Sequence, residues 1–304
     1  MLDRLIAING ELVKYQDATI HISSVAMKYG ASVFEGVRGY LDTSGNSLNI
    51  FAVDQHIKRL MASIKLMKME FIYNEKCIIE SIAQLIKTNK ISEDCYIRCA
   101  VSIIGTGGID CTGPTMLSID AFPQGRKPNQ ANGINVSISS WRRINDNSMP
   151  PRLKCIANYQ NGRMATLQAK ASGYDNTLLL NEHGKISEAP TACVFFLKNG
   201  CLITPPVTAD ILESITRNFI ISFATDIGVK VVEREIDRTE AYLADEAFLC
   251  GTGCEIIPIK NIDGYVIGNG LPGETTREFI NLYNKSARGL NEKYLNLLFK
   301  ININ

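Results

Sequence analysis

At 304 residues, 45% apolar and 21% charged, the chain can bury the core of one large domain or two ordinary ones. Its net charge of +1 leaves no electrostatic footprint for nucleic acid or a membrane surface, and no apolar run reaches the roughly 20 residues of a membrane span. Met1 to Lys14 lacks the basic-then-apolar pattern of a secretory signal, and nine scattered cysteines with no histidine beside any of them argue for reduced buried thiols rather than a metal centre.

Spacing defines the elements in chain order. Residues 5–13 read as a hairpin about Asn9-Gly10, the dipeptide best suited to a two-residue turn. A second hairpin is expected over 33–51, turning near Thr43–Asn46. Asp54 reads as the N-cap of a helix with Ile57, Leu60, Met61, Ile64 and Met67 on one face. Asn74 reads as the cap of the next, with Ile78, Ile82, Leu85 and Ile86. Tyr96–Ile104 and Met116–Phe122 read as strands. The polar stretch 124–133 is expected to link a small N-terminal α+β domain (1–123) to a larger C-terminal domain (134–304). There, alternation predicts a strand from Ile134, and a helix is expected over Met164–Ala171. Short strands follow at Thr177–Leu180, Lys185–Ser187, Val194–Leu197 and Leu202–Thr204, with turns at His183-Gly184 and Asn199-Gly200. A helix over Thr216–Ile227 stops at Gly228, and Val229–Val232 reads as a strand. A short helix near Thr239–Leu243, a strand at Ala247–Cys250 and a helix over Thr275–Asn284 complete the pattern; the tail from Ser286 carries no assignment.

The chemically distinctive stretch runs from Arg152 to Tyr159. Lys154 stands there among mostly apolar neighbours, behind a Pro150–Pro151 pair and ahead of Tyr159. An amine deprived of water is favoured in its uncharged, nucleophilic form, which a Schiff-base lysine requires. A single lysine decides little, because most are solvated surface side chains. Its weight comes from other stretches. Gly184-Lys185-Ile186-Ser187-Glu188-Ala189 offers a carboxylate in a turn, although an isolated Ser-Glu pair is more often exposed. His56-Ile57-Lys58-Arg59-Leu60 offers an arginine on a helix. Leu212-Glu213-Ser214-Ile215-Thr216-Arg217 opens a helix, whose unpaired N–H groups suit an anion. Tyr29-Gly30-Ala31-Ser32-Val33-Phe34-Glu35-Gly36-Val37-Arg38, Tyr96-Ile97-Arg98, Ser139-Ser140-Trp141-Arg142 and Cys250-Gly251-Thr252-Gly253-Cys254-Glu255-Ile256 complete the set.

Together these stretches resemble the class IV aminotransferases, and within them the branched-chain amino acid subgroup. The resemblance implies an α+β, two-domain fold type IV architecture (D-amino acid aminotransferase-like). It has a smaller N-terminal α/β domain, a larger C-terminal mixed domain and the site at their interface. It implies pyridoxal 5'-phosphate as cofactor, with Lys154 as Schiff-base lysine and proton carrier. Tyr159 would donate to the cofactor's phenolic oxygen, and Glu188 would sit beside the ring nitrogen. Arg59, Ile215, Thr216 and Thr252 would hold the phosphate. Tyr29, Phe34, Arg38, Tyr96, Arg98, Trp141, Thr252 and Gly253 would form the substrate pocket. Tyr96 and the backbone of Thr252 and Gly253 would serve the α-carboxylate, Arg98 a second carboxylate, and Tyr29 the site of a neighbouring subunit. Trp141 is read as a pocket wall or a core residue. The implied activity is ping-pong transamination between branched-chain L-amino acids (Leu, Ile, Val) and 2-oxoglutarate. The implied setting is a cytoplasmic homodimer or homo-oligomer of dimers, whose partners are amino acids and 2-oxo acids, with no nucleic acid, membrane or metal. Departures from the family pattern are Cys193 in place of an asparagine, Ser214 in place of a glycine, and a short 105–114 segment. Cys193 and the short segment leave the substrate open, whereas a serine fits at 214 where the backbone is not left-handed; a class IV transaminase with another amino donor and an aminodeoxychorismate-type lyase stand as alternatives.

Overall fold

The computed structural model describes residues 4–126 and 132–303. Half of the expected linker, at 127–131, lies outside the described residues. β1 (Leu5–Ile8) and β2 (Glu11–Lys14) form the first hairpin, with Asn9 and Gly10 both at positive φ, 52° and 88°. These are the angles of the turn whose twist matches that of the strands. α1 (Val25–Tyr29) is capped by Ser24 and stops at Gly30, which takes the left-handed conformation. β3 (Ser32–Leu41) and β4 (Ser47–Phe51) make the second hairpin. α2 (Val53–Leu66) follows directly. Its N-cap is Ala52, at φ 57° and without a side-chain bond, rather than Asp54. The chain turns from strand into helix through that one left-handed residue, so Asp54 falls inside the first turn, where its charge still favours the helix dipole. α3 (Glu75–Thr88) begins as expected at Asn74, whose side chain accepts from Cys77 N–H at 2.9 Å. β5 (Cys95–Ile103) and β6 (Thr115–Pro123) complete this part.

β7 (Ile134–Arg142) is followed by α4 (Tyr159–Ala171), which begins at Tyr159, and β8 (Asn176–Leu180). The strand expected at Lys185–Ser187 is reduced to isolated bridges, Leu180 to Ile186 and Lys185 to Asp237. β9 (Cys193–Lys198) and β10 (Cys201–Thr204) turn at Asn199-Gly200. α5 (Ile215–Asp226) ends before Gly228, at φ 72°, and leads to β11 (Lys230–Glu233). Then come α6 (Arg238–Ala241), β12 (Glu246–Gly251), β13 (Glu255–Ile262), the two-residue β14 (Tyr265–Val266) and α7 (Glu274–Ala287). A 3-10 turn over Glu292–Leu297 runs into β15 (Leu298–Asn302).

The chain divides into two compact units. The first comprises Met1–Gly125, Leu153–Ala157 and Lys285–Asn304; the second comprises Arg126–Arg152 and Asn158–Asn284. The first unit therefore takes in the Lys154 segment and the C-terminal tail, both of which the sequence groups with the larger domain. Its sheet is antiparallel, in the order β15-β4-β3-β5-β6-β1-β2. β15 adds to β4 at the edge, pairing Ile301 with Leu48. The core lies between one face of this sheet and the apolar sides of α2 and α3. It includes Val33, Val37, Ile57, Leu60, Ile78, Ile82, Ile97 and Val101, all without exposed surface. The sheet of the second unit is mixed, in the order β11-β10-β9-β12-β13-β7-β8, with β14 paired to β13. Its core includes Val136, Leu178, Ile186, Val194, Leu249 and Ile262. No helix among the described residues is long and apolar enough to cross a membrane.

Candidate active site

In the first unit the candidate residues are sorted by strand register. β3 and β5 pair with Gly36 opposite Arg98 and Arg38 opposite Tyr96. Side chains alternate along a strand, and directly opposed residues share a face. Val33, Glu35, Val37, Ile97, Cys99 and Val101 therefore turn toward α2 and α3. Phe34, Gly36, Arg38, Tyr96 and Arg98 line the other face. Gly36 has a steric reason: a Cβ there would come within 1.8 Å of the Tyr96 hydroxyl, which lies across it. Tyr96 is steadied by Phe122, ring centres 5.7 Å apart.

Lys154 reaches the same face by docking as a short extended segment along the start of β3. Phe34 N–H donates to Lys154 C=O at 3.0 Å, Ile156 N–H to Ser32 C=O at 2.9 Å, and Val33 bridges Cys155. On the other side Lys154 N–H donates to Ser63 Oγ of α2 at 3.3 Å. Leu153 and Cys155 point into the core, so Lys154 between them points out. Its Nζ lies 4.9 Å from the centre of the Phe34 ring, and the Arg98 guanidinium lies 3.9 Å from it. One aromatic ring thus orders two cations by cation–π attraction.

Arg59 is arranged differently. Its Nε and Nη2 donate to the two oxygens of Glu35, at 2.6 and 2.9 Å. His56 Nδ1 lies 2.7 Å from Glu35 Oε2. Burial would raise the Glu35 carboxyl, but Arg59 and then His56 outweigh it and hold it at about 2. His56 is pushed below its ordinary value chiefly by burial, against the opposing pull of Glu35. The imidazole is therefore neutral at pH 7 and donates through Nδ1–H to an ionised carboxylate. Neither Glu35 nor His56 was singled out from the sequence. Their signal was a Glu between Val33 and Val37 on a strand, and a His and an Arg three apart on a helix.

Arg38 is buried, donates to Gln124 C=O at 2.8 Å and lies 5.3 Å from the Tyr40 ring. Tyr29 ends α1 and is 47% exposed. The short 105–114 segment is tied to the same helix, since Lys28 Nζ donates to Thr106 C=O at 3.2 Å and to Gly107 C=O at 2.7 Å. At its far end Thr112 Oγ1 donates to Glu70 at 2.8 Å.

In the second unit Glu188 is buried and firmly held. Arg143 Nη2 lies 2.7 Å from its Oε1, which Leu212 N–H also reaches at 3.2 Å. Cys193 Sγ is 3.8 Å from Oε2. Arg143 was missed in the sequence because the Arg142–Arg143 pair ends an alternating strand, where arginines usually face water. Its guanidinium instead turns in and also donates to Asp210 C=O at 3.2 Å. Beside Glu188, Ser187 buries its Oγ without a hydrogen-bond partner among the described residues. Ser214 is the N-cap of α5, at φ −88°, and its Oγ accepts from Arg217 N–H at 3.2 Å. Serine suits this place because the backbone is extended. Ile215 and Thr216 form the first turn, where N–H groups lack partners within the helix. Thr252 and Gly253 sit in the tight connection from β12 to β13, closed by Gly251 opposite Glu255. Glu255 there has φ 56° and receives Arg126 Nε at 2.6 Å. Tyr159 is the first residue of α4, after Asn158, whose side chain donates to Pro150 C=O at 2.9 Å. Trp141 is 44% exposed, so of its two readings the core one is excluded. All nine cysteines are free thiols.

The profile of the amino-transferase class IV family matches residues 32–262. The chain belongs to the class IV aminotransferase family. Curated relatives include a probable branched-chain-amino-acid aminotransferase of Aquifex aeolicus (strain VF5). It is 36% identical over 290 residues, 94% of this chain and 93% of that protein. The branched-chain-amino-acid aminotransferase of Salmonella typhimurium is 35% identical over 88% of both chains. Among solved structures, that enzyme from Thermobaculum terrenum in its pyridoxal-phosphate form superposes with a TM-score of 0.93 at 36% identity, covering 98% of both chains. The Escherichia coli enzyme gives a TM-score of 0.93 at 31% identity, over 99% of this chain and 100% of that one. This class IV aminotransferase accordingly has the fold type IV architecture, α+β with two sheets, that its motifs imply.

Proposed function

We propose that this aminotransferase exchanges amino groups between branched-chain L-amino acids (Leu, Ile, Val) and 2-oxoglutarate, in ping-pong order, with pyridoxal 5'-phosphate as cofactor. The observation that carries the reading is Lys154. Its backbone is fixed from both sides, and its amine is ordered over the Phe34 ring, which Arg98 also approaches. The donor set suits the cofactor. Arg59 and the first turn of α5 match a phosphate, Glu188 matches a ring nitrogen that carries a proton, and the buried Ser187 hydroxyl shows unmet polarity next to Glu188. When bound, pyridoxal phosphate supplies an aldehyde for amino nitrogen and a ring that draws electrons from the substrate α-carbon.

The chain's own residues do the rest. Lys154 Nζ takes the proton from the substrate α-carbon and returns one. Arg143 and Leu212 N–H keep the Glu188 charge in place. Tyr159 orders the cofactor by donating its hydroxyl proton, and Thr252 adds to the phosphate contacts. Tyr96, with the backbone of Thr252 and Gly253, holds the α-carboxylate. Phe34, Arg98 and Arg38 explain how one pocket takes both an apolar side chain and glutamate. The Arg98 guanidinium lies 3.9 Å from the centre of the Phe34 ring, so the two together offer an apolar surface to Leu and N–H donors to a second carboxylate. Trp141 contributes an apolar wall. In this reading the enzyme is a cytoplasmic homodimer or an oligomer of dimers, and Tyr29 serves the partner subunit. The exposure of Tyr29 and Met27 on α1 supports that arrangement.

The test is a donor panel with purified holoenzyme, following the absorbance of the bound cofactor with Leu, Ile, Val, L-Ala, Glu, D-Ala and a simple chiral amine. Leu should exceed Ala by roughly 50-fold, since each buried methylene is worth about 0.8 kcal/mol. Lys154→Ala should abolish the change. Conversion by the amine but not by Leu, Ile or Val would reject the substrate assignment. Pyruvate release without an amino acceptor would reject transamination in favour of a lyase.

A further inference from the structure

The buried Glu35 is unexplained by packing. The face of β3 that turns toward α2 and α3 reads Val33, Glu35, Val37, and the residue opposite Glu35 is Cys99. An apolar residue would fill this place without the cost of desolvating a carboxylate, and such replacements are often neutral or stabilising. Glu35 has no exposed surface, whereas Arg59 keeps 15% of its side chain exposed. The pair is bidentate and charge-assisted, the geometry that fixes the plane of a guanidinium. It uses Nε–H and one Nη2–H of the five N–H groups, so the remaining edge is directed away from Glu35. His56 adds a third bond to the same carboxylate, and His56, Arg59 and Ser63 lie on one side of α2 at helical spacing. Ser63 receives the Lys154 backbone. One helix therefore fixes both the arginine and the start of the lysine segment.

We propose that Glu35, assisted by His56, is a positioning residue that orients Arg59 toward the phosphate of the cofactor. This rests on the reading of Arg59 as a phosphate ligand. Glu35 touches neither substrate nor cofactor; it sets the angle at which Arg59 presents its outward N–H groups. Its effect is confined to ligands that carry the phosphate.

The apoenzyme is titrated with pyridoxal phosphate and with pyridoxal, which lacks the phosphate, and the ratio of the two affinities is compared across variants. A merely structural role would weaken both ligands alike and leave the ratio unmoved. Glu35→Gln removes the charge. Glu35→Asp keeps the charge, and with it the fold, but shortens the side chain and breaks the paired geometry. Both should lower the ratio by about tenfold, the loss of one well-placed charge-assisted bond, with pyridoxal affinity retained. Arg59→Lys tests the underlying reading. If Arg59→Lys lowers the ratio and Glu35→Asp does not, the positioning role is overturned while Arg59 stays at the phosphate. If Arg59→Lys leaves the ratio unchanged, the phosphate reading of Arg59 fails and the positioning role falls with it.

Discussion

Replacing Arg59 with methionine isolates the cost of the buried carboxylate beneath it. Methionine keeps an unbranched apolar stem but cannot donate to Glu35. In the native protein burial, the largest single influence, is overcome by Arg59 and His56, which hold the carboxyl at about 2 against an ordinary value of 4.5. At about 1.4 kcal/mol per factor of ten, that difference is worth about 3 kcal/mol at neutral pH. Breaking a buried pair by deleting one partner costs about 3–5 kcal/mol, which agrees. For a unit of this size, Arg59→Met should lower Tm by roughly 6–12 °C. The sign with pH is equally specific. A carboxyl whose pKa is depressed in the fold stabilises above its unfolded value and loses that contribution as pH falls through the folded value. The wild type should lose the increment between about pH 4.5 and pH 2, so its curve and that of Arg59→Met should converge in acid. Thermal and urea unfolding of cofactor-free protein at pH 7 and at about pH 2.5 measures both. The double variant Glu35→Gln/Arg59→Met should recover most of the loss at pH 7, because no charge is left buried. A loss below about 1 kcal/mol at pH 7, or one independent of pH, would refute the reasoning.

Acid should also act through His56. Burial keeps its folded pKa below the ordinary 6.5, so the unfolded chain takes up a proton there that the folded protein refuses. Stability should begin to decline as pH falls below about 6.5. In His56→Gln that first slope should vanish while the slope below 4.5 persists, as urea midpoints across the range would show. Gly36→Ala is the test of the Tyr96 placement. Its Cβ would overlap the Tyr96 hydroxyl, so the ring must move. Overpacking of this kind costs about 1–3 kcal/mol. KM for the amino acid should rise more than kcat falls; unchanged steady-state kinetics would remove Tyr96 from the carboxylate site.

What the sequence revealed and what it hid divide along a physical line. Turns and caps depend on a few neighbouring residues. Asn9-Gly10, Asn74 and Gly228 therefore declared their positions. Ser214, which the sequence marks only as a departure from a glycine, is a cap in the fold, because an extended residue before a helix needs an accepting side chain. Partners chosen by tertiary register left no such mark. Arg143 meets Glu188 only because β7 carries its end past Leu180, to which Arg143 N–H donates at 2.8 Å. β15 owes its existence to β4, far away in sequence, and its alternation over five residues is too short to speak alone. Glu35 sat inside a recognised motif, yet its role depends on which way β3 faces.

In the Lys154 stretch the fold gives the apolar pattern a different meaning from the one it has in the sequence. Its apolar neighbours suggested a dry setting for the amine. In the fold, Leu153 and Cys155 are not that setting. They point into the core of the first unit and act as anchors, while alternation turns Lys154 to the other side. The amine lies instead by the Phe34 ring of β3, which also carries the Arg98 guanidinium of β5. The apolar pattern therefore serves precision of placement: two buried side chains and three backbone hydrogen bonds fix the Cα of Lys154, and only the side chain is left to move. The proton-carrier role proposed for Lys154 needs that combination, because the backbone must stay still while the amine travels between two atoms.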